Sequence, residues 1–507
     1  MQAATKVVFN TVILYVKILV SMAIALVSVP LVLRALGVSD YGLYNLIAGV
    51  IAMLAFLNNS LTISSQRYMS VAMGAGDYKK IELIYNTSFY MHFLLGIIVI
   101  GIFEIGSFFI GSLNIEPDRV WCAMIIYQFL IINTFLKIVS VPFDALINAH
   151  EDMGAFAVIE TIDSVLMLLV ALVLKFIPFD KLIFYGFAML MIAVLTMLMK
   201  YLWVRHSYNQ VHINFKEYRN NLRSKEMFGF AGWNLTGNMA LIGRNQGVAI
   251  IINLFLGTTV NAAYGIAHHI NGALGHFSST FQKAINPQLM KSEGMNNRER
   301  LIKISFISSK FSVLALSLFA VPLIIEMPDV LKIWLKENIP PYTMELSRYI
   351  LLLAITYQYS VGIMSAIQAV GNIRNYQITM SCIVLLNLPL AYLIIKIGYP
   401  VYYVTIGYVV LEIISLLVRI MMAKRLVNIS PSAFCLEVIG TTLAIILISS
   451  LLSMIPHTLI ENVWLRLLST GAVYCSAFVF MTWYLAFDND QRYNIMSKLK
   501  CRKVKTK

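Results

Sequence analysis

Cationic side chains inside apolar segments are the residues of this sequence best suited to chemistry. The apolar stretch 235–255 carries Arg244, Asn245 and Gln246 near its middle, with Asn238 about two helical turns earlier. A charge at bilayer depth costs at least about 2.5–3.5 kcal/mol on insertion scales. A partner, water or an anionic ligand must therefore offset the charge of Arg244.

Three lysines share this unusual position in apolar surroundings: Lys17, Lys137 and Lys310. Lysine offers an anion a point charge, whereas the arginine guanidinium offers phosphate oxygens a bidentate fork. We expect Arg244 and Lys17 to face a wet path and to bind an anion there, with Lys137 and Lys310 as further candidates. Alternatively, these cations form structural ion pairs, and the Lys310 side chain extends to the membrane surface.

Carboxylates inside apolar segments form a second candidate group. Glu160 and Asp163 are three residues apart and share a helix face, and Asp144 lies near the end of the preceding apolar segment. Buried carboxylates serve proton or ion relays in membrane proteins, so these three are candidates for coupling to H⁺ or Na⁺. Lys137 and Asp163 lie at equal depth on adjacent segments, which favours a structural ion pair instead.

Other charged residues lie closer to the ends of apolar segments. We expect these side chains to reach toward the membrane surface: Lys200, Lys283 and Arg419.

The segments that must position these residues follow from composition. The chain has 507 residues, of which 59% are hydrophobic and 13% are charged, whereas soluble domains carry about a quarter charged residues. The sequence therefore predicts an all-α polytopic membrane protein, whose first apolar block is a retained span and not a cleavable signal peptide. Apolar blocks predict about fourteen transmembrane helices, near 7–35, 41–66, 84–111, 119–147, 153–178, 182–204, 227–256, 259–289, 303–325, 341–370, 374–397, 400–424, 433–454 and 463–486.

Lysine and arginine concentrate in alternate connections, such as 205–226, and in the tail KLKCRKVKTK. This asymmetry predicts that both termini are cytoplasmic. We interpret the net charge of +14 as this bias plus contact between the tail and anionic membrane lipid, and not as nucleic-acid binding. The sequence has no Walker spacing, no metal-ligand spacing and no catalytic constellation, so we expect no cofactor, no metal and no enzyme.

An internal repeat organises the chain. LRALGVSDYGLYNL and LFLGTTVNAAYGIA each place an LG turn between two long apolar blocks, and Gly37 and Gly257 differ by 220 positions. Gly74 and Gly294 differ by the same offset. We therefore predict a six-helix lobe at 1–224, a second at 225–430, and two extra helices with the basic tail at 431–507. Transporters built from parallel repeats bind substrate near the midplane and alternate access by rocking.

Two stretches carry motif-level similarity to a known family. The first is LGVSDYGLYNLIAGVIAMLAFLNNSLTISSQRYMSVAMGAGDYKK. The second is FAGWNLTGNMALIGRNQGVAIIINLFLGTTVNAAYGIAHHI, followed by FQKAINPQLMKSEG. They resemble bacterial polysaccharide flippases of the O-antigen type, within the multidrug/oligosaccharidyl-lipid/polysaccharide exporter superfamily.

The resemblance implies a flippase of the bacterial cytoplasmic (inner) membrane that serves polysaccharide and lipopolysaccharide synthesis. Its substrate would be an undecaprenyl-diphosphate-linked oligosaccharide, moved to the outer leaflet through a cationic cavity between the lobes. A polysaccharide polymerase or assembly proteins are the implied partners. Arg244 and Lys17 would then bind the diphosphate, and three amides would hydrogen-bond sugar hydroxyls or ordered water: Asn238, Asn245 and Gln246.

Two relatives remain as alternatives. A multidrug antiporter of the same superfamily extrudes cations, and we expect its cavity to be acidic or aromatic. A flippase for the peptidoglycan precursor shares the fourteen helices and a cationic cavity. A membrane-embedded polymerase or glycosyltransferase would need a catalytic extramembrane loop, and the loops at 205–226 and 326–340 hold no such constellation.

Overall fold

The computed structural model describes residues 3–52, 55–108, 110, 115, 117–208, 211, 222–336, 339–487 and 492. These residues are overwhelmingly helical and include no β-strand, which confirms the all-α prediction. Most of the basic tail, residues 493–507, lies outside the described residues. The helices are α1 (Ala3–Ala52), α2 (Ala55–Gly74), α3 (Tyr78–Ser107), α4 (Val120–Ala149), α5 (Met153–Val173), α6 (Lys181–Ser207), α7 (Leu222–Gly294), α8 (Arg298–Ile325), α9 (Met327–Leu335), α10 (Thr343–Val370), α11 (Arg374–Leu385), α12 (Asn387–Lys396), α13 (Tyr402–Val427), α14 (Pro431–Phe434), α15 (Thr441–Leu459) and α16 (Val463–Met481).

Twelve helical segments of the described chain are long and apolar enough to cross a membrane. The chain is therefore a multi-pass membrane protein. One segment, Lys225–Gly294, has 70 residues and contains two of the predicted spans, 227–256 and 259–289. The predicted span 41–66 includes residues 53 and 54, which lie outside the described residues, and none of the twelve segments covers it. These two places account for the difference between the twelve segments found and the fourteen or so transmembrane helices predicted.

The repeat is visible in the helix bounds. Adding 220 to the bounds of α3 gives 298–327, and α8 spans Arg298–Ile325. The same shift of α4 gives 340–369, where α10 spans Thr343–Val370. The shift of α6 gives 401–427, and α13 spans Tyr402–Val427. These helices therefore recur at the offset that the sequence repeat predicts.

The backbone of the turns repeats as well. Gly37 kinks α1 with φ 82° and ψ 170°, and Gly257 kinks α7 with φ 82° and ψ 178°. Positive φ is strained for residues with a Cβ atom, and glycine adopts it freely. Both LG turns therefore contain the same glycine-dependent kink.

Packing divides the chain into two compact units. Unit 1 comprises Met1–Met239 and Ala284–Asn297, and unit 2 comprises Ala240–Lys283 and Arg298–Lys507. The kinked helix α7 thus contributes to both units. The lobe boundaries predicted at 224/225 and 430/431 follow the sequence repeat and stay a prediction.

Small residues allow close helix packing in unit 2. A Cβ atom on Gly362 of α10 would collide with the carbonyl oxygen of Ser305 on α8. The Ser309 hydroxyl donates to the Tyr359 carbonyl at 2.8 Å and accepts from the Gly362 N–H at 3.1 Å. Apolar side chains gain little from association inside lipid, so such close backbone contacts and interhelical hydrogen bonds hold membrane helices together.

The kink glycine predicts a matched pair of substitutions in α7. Gly257→Ala should destabilise the protein by about 1–2 kcal/mol, because an alanine must adopt φ 82°. Gly265→Ala is the control, since Gly265 has helical φ and open space beside it, and it should be neutral or stabilising. Thermal unfolding of the purified protein in detergent compares the two variants. Equal midpoints would contradict the assigned kink.

Candidate functional site

Arg244 lies in α7 among polar and aromatic side chains of unit 2. Its Nε donates to Asn245 Oδ1 at 3.1 Å, and its Cζ lies 5.5 Å from the centre of the Tyr408 ring. Tyr408 belongs to α13 and is buried. Among the described residues, no carboxylate forms an ion pair with Arg244. Its guanidinium therefore keeps N–H groups for another acceptor.

A half-buried histidine borders the same arginine. His268 packs edge-on against Tyr264 with ring centres 4.4 Å apart, and Arg244 acts electrostatically on both side chains. The His268 Nε2 atom is buried without a hydrogen-bond partner in the described part of the chain. A buried polar atom in this state marks a place where water or a ligand is expected.

The amides predicted beside Arg244 separate into different surroundings. Asn238 belongs to unit 1, where its Nδ2 donates to Ser60 Oγ at 2.9 Å. Asn245 is half-buried and engaged by Arg244, whereas Gln246 is exposed. The roles predicted for all three stay predictions.

Unit 1 holds a charged cluster on four helices. Lys200 of α6 reaches Asp144 Oδ2 of α4 at 3.0 Å and Glu160 Oε1 of α5 at 3.2 Å. Lys17 of α1 lies 3.5 Å from Glu160 Oε2. Asp163 interacts electrostatically first with Glu160 and then with three lysines: Lys137, Lys200 and Lys17. The structure therefore brings together the predicted ion-coupling residues and two predicted substrate-binding lysines, Lys17 in direct contact with Glu160 and Lys137 at longer range from Asp163.

Two expectations about this cluster are wrong. Lys200 does not reach toward the surface, since it is only 8% exposed and lies between two carboxylates. Lys137 is exposed, and in the described structure it forms no close ion pair with Asp163. The prediction rested on the equal depth of Lys137 and Asp163 along adjacent helices. An ion pair also requires that the two helix faces meet. Lys310 is half-buried in α8.

Unit 2 contains a buried ion pair that the sequence analysis missed. Arg419 of α13 donates to Glu412 on the same helix and to Ser360 Oγ on α10 at 2.8 Å. Both charged side chains are almost fully buried, so the expectation that Arg419 reaches the surface is wrong. The seven-residue spacing places both residues on one helix face, which is the signal that would have predicted the pair.

A third ion cluster lies at the other end of the unit 1 helices. Arg119 contacts Asp40 at 2.7 Å and also pairs with Asp180, which precedes α6. Partial burial raises the pKa of Asp180, but the Ile183 N–H and the Arg119 guanidinium lower it more, so the pKa lies below its usual value. Asp180 also caps α6 through the N–H groups of Leu182 and Ile183. Arg119 therefore connects the start of α4 with α1 and with the start of α6.

The fold matches solved membrane transporters. No protein-family model and no curated protein matches the sequence. A crystal structure of MATE in the straight conformation aligns with a TM-score of 0.73 at 14% identity, over 84% of this chain and 97% of that one. The chain has the fold of MATE transporters.

Two further solved transporters align with this chain at similar TM-scores and sequence identities. An outward-facing multidrug resistance MATE family transporter of the MOP superfamily aligns with a TM-score of 0.71 at 15% identity, over 84% of this chain and 96% of that one. A MOP superfamily transporter from Pyrococcus furiosus, whose binding pocket has reverse polarity that suggests a different function, aligns with a TM-score of 0.68 at 13% identity, over 84% and 96%. At these identities the likeness establishes the fold.

The charged cluster predicts unequal effects of two lysine substitutions. Lys200→Met should cost about 3–5 kcal/mol of stability, because it leaves two partly buried carboxylates without their shared cation. Lys17→Met should cost less, because Lys17 contacts one carboxylate at the longer distance of 3.5 Å. Thermal unfolding in detergent, with both variants purified identically, measures the difference. A larger loss for Lys17→Met would reject this assignment of the central cation.

Proposed function

We propose that this chain is a transporter that moves an undecaprenyl-diphosphate-linked oligosaccharide from the inner to the outer leaflet without altering it chemically. The observation that carries the proposal is Arg244, a cation within a membrane-spanning segment that has no carboxylate partner among the described residues. A guanidinium fork matches the oxygens of a phosphate group.

Two cations that are more deeply buried than Arg244 support this reading by contrast. Lys200 lies between Asp144 and Glu160, and Arg419 pairs with Glu412. Their charges are compensated inside the protein, as the low dielectric of a membrane requires. Among the described residues, Arg244 contacts an amide and aromatic rings and no carboxylate, so an anionic ligand would complete its coordination.

The contacts of Lys17 and of the three carboxylates limit which of their predicted roles this proposal retains. Lys17 remains a candidate for the diphosphate, although Glu160 competes for its ammonium group at 3.5 Å. Glu160 and Asp144 are engaged by Lys200. Asp163, which has only longer-range interactions with the lysines, is therefore our candidate for coupling to H⁺ or Na⁺.

The charge of Arg244 also ranks the alternatives. A guanidinium that has no carboxylate partner among the described residues repels a cationic substrate, which disfavours a multidrug cation antiporter. A peptidoglycan-precursor flippase would also carry a diphosphate, so the geometry at Arg244 suits it equally. The predicted path between the lobes, the cytoplasmic termini and the bacterial inner membrane belong to the same proposal.

The test deletes the gene in its native cell and quantifies undecaprenyl-diphosphate oligosaccharide on the cytoplasmic leaflet. Restoring the native chain should remove the accumulated lipid. Arg244→Gln should restore transport at least about tenfold less well, because a hydrogen bond to a charged group contributes about 1.5–3 kcal/mol. Arg244→Lys should be intermediate, since it keeps the charge and loses the fork.

Arg425→Gln is the matched control, because Arg425 is exposed near the end of α13. It should restore transport fully at equal protein level. Accumulation of peptidoglycan precursor in place of the oligosaccharide would support the second flippase. Unchanged lipid pools with altered resistance to cationic drugs would support the antiporter and reject our proposal.

A further inference from the structure

The turn between α4 and α5 holds a glutamate in an unfavourable backbone conformation. Glu151 has φ 60°, and the residue 220 positions later in the repeat is Gly371, with φ 96°. A left-handed conformation is strained for a residue with a Cβ atom, whereas glycine adopts it freely. The second repeat makes its turn without a side chain, so the first repeat retains a strained glutamate for another reason.

The Glu151 side chain is buried and joins separate parts of the chain. It is 3% exposed, and its carboxylate accepts hydrogen bonds from Gln288 Nε2 and Lys291 Nζ. Its carbonyl oxygen accepts from Asn10 Nδ2 of α1 at 3.1 Å. One residue thus connects α1, the α4–α5 turn and the last turns of α7.

The same end of α7 also packs backbone to backbone against α2. A Cβ atom on Gly74 would collide with the Lys291 carbonyl oxygen, and a Cβ atom on Gly294 would collide with the Val71 carbonyl oxygen. These reciprocal contacts involve two glycines related by the repeat. The two helices can approach this closely only because Gly74 and Gly294 both lack a Cβ atom.

Chain order and packing disagree for this segment. Residues 284–297 belong to the second repeat by sequence, but they pack within unit 1, while the residues on either side belong to unit 2. Pro287 lies inside the helix just after the chain enters unit 1. Proline removes a helical hydrogen bond and allows a bend at this point.

We propose that Glu151 is a latch that holds the end of α7 onto unit 1 and that must release this end during each transport cycle. The positive-inside pattern predicts that the latch lies on the cytoplasmic side. Gln288 and Lys291 compensate the buried carboxylate of Glu151 and help to hold its strained backbone. Separation of this ion pair therefore makes the closed contact less favourable.

The release of the latch during transport rests on the proposed function. The closed contact itself can be tested without substrate. The reporter is Ser292→Cys in a chain lacking its native cysteines, because Ser292 is completely buried in the latched segment. The measurement is the rate of alkylation by N-ethylmaleimide in native membranes. Ser449→Cys, equally buried in α15 of unit 2, reports whether the rest of the fold stays intact.

Two single substitutions open the latch by different routes. Glu151→Gly keeps the left-handed turn, as Gly371 does in the second repeat, and removes only the carboxylate. Lys291→Met removes the partner charge. Each should raise labelling at position 292 at least about tenfold and leave labelling at position 449 unchanged, because losing one partner of a buried ion pair shifts an equilibrium by that factor or more.

The exchanged pair Glu151→Lys with Lys291→Glu should return labelling at position 292 to near the native rate. Unchanged labelling in both single variants, or an exchanged pair that stays as open as they are, overturns the latch. These outcomes are independent of the lipid assay: if the oligosaccharide proposal fails, labelling still decides whether the latch exists.

Discussion

The cost of an unpaired charge in a low-dielectric surrounding is the constraint on which this structure depends. Two cations that are buried in the described structure, Lys200 and Arg419, meet it by pairing with carboxylates. Lys200 lies between carboxylates of α4 and α5, and Arg419 faces Glu412 two turns away on α13. Arg244 departs from this rule, since its described contacts are an amide and aromatic rings. That departure is why its position carries the functional proposal.

The internal repeat preserves the backbone and not the charges. Helix bounds and glycine kinks recur at an offset of 220 positions. The residue that corresponds to Lys200 is Ile420, and the residue that corresponds to Arg244 is Ile24. Each repeat therefore shares its path through the membrane and differs in its ionic interior. Glu151 and Gly371 show the same divergence in a single turn, where one backbone conformation serves two different side chains.

Helix α7 links the two halves of the chain physically. It bends at Gly257, contains Pro287, and contributes to both compact units. Its last turns contact α2 through glycines and the α4–α5 turn through Glu151. Both the glycine bend and the proline therefore lie in a helix that contributes residues to both compact units.

The all-helical class, the multiple spans and the repeat were predictable from the sequence, because hydropathy and turn glycines act locally. The shared LG pattern was enough to identify Gly37 and Gly257 as equivalent turns, and their common backbone angles are ones that only glycine adopts without strain. The partners of the charged residues were not predictable in the same way. Depth along a helix follows from sequence position, and it placed Lys137 level with Asp163. Pairing also requires that two helix faces meet, which only tertiary packing decides: it joined Glu160 to Lys200 and Glu151 to the end of α7, and it left Arg244 without a carboxylate among the described residues.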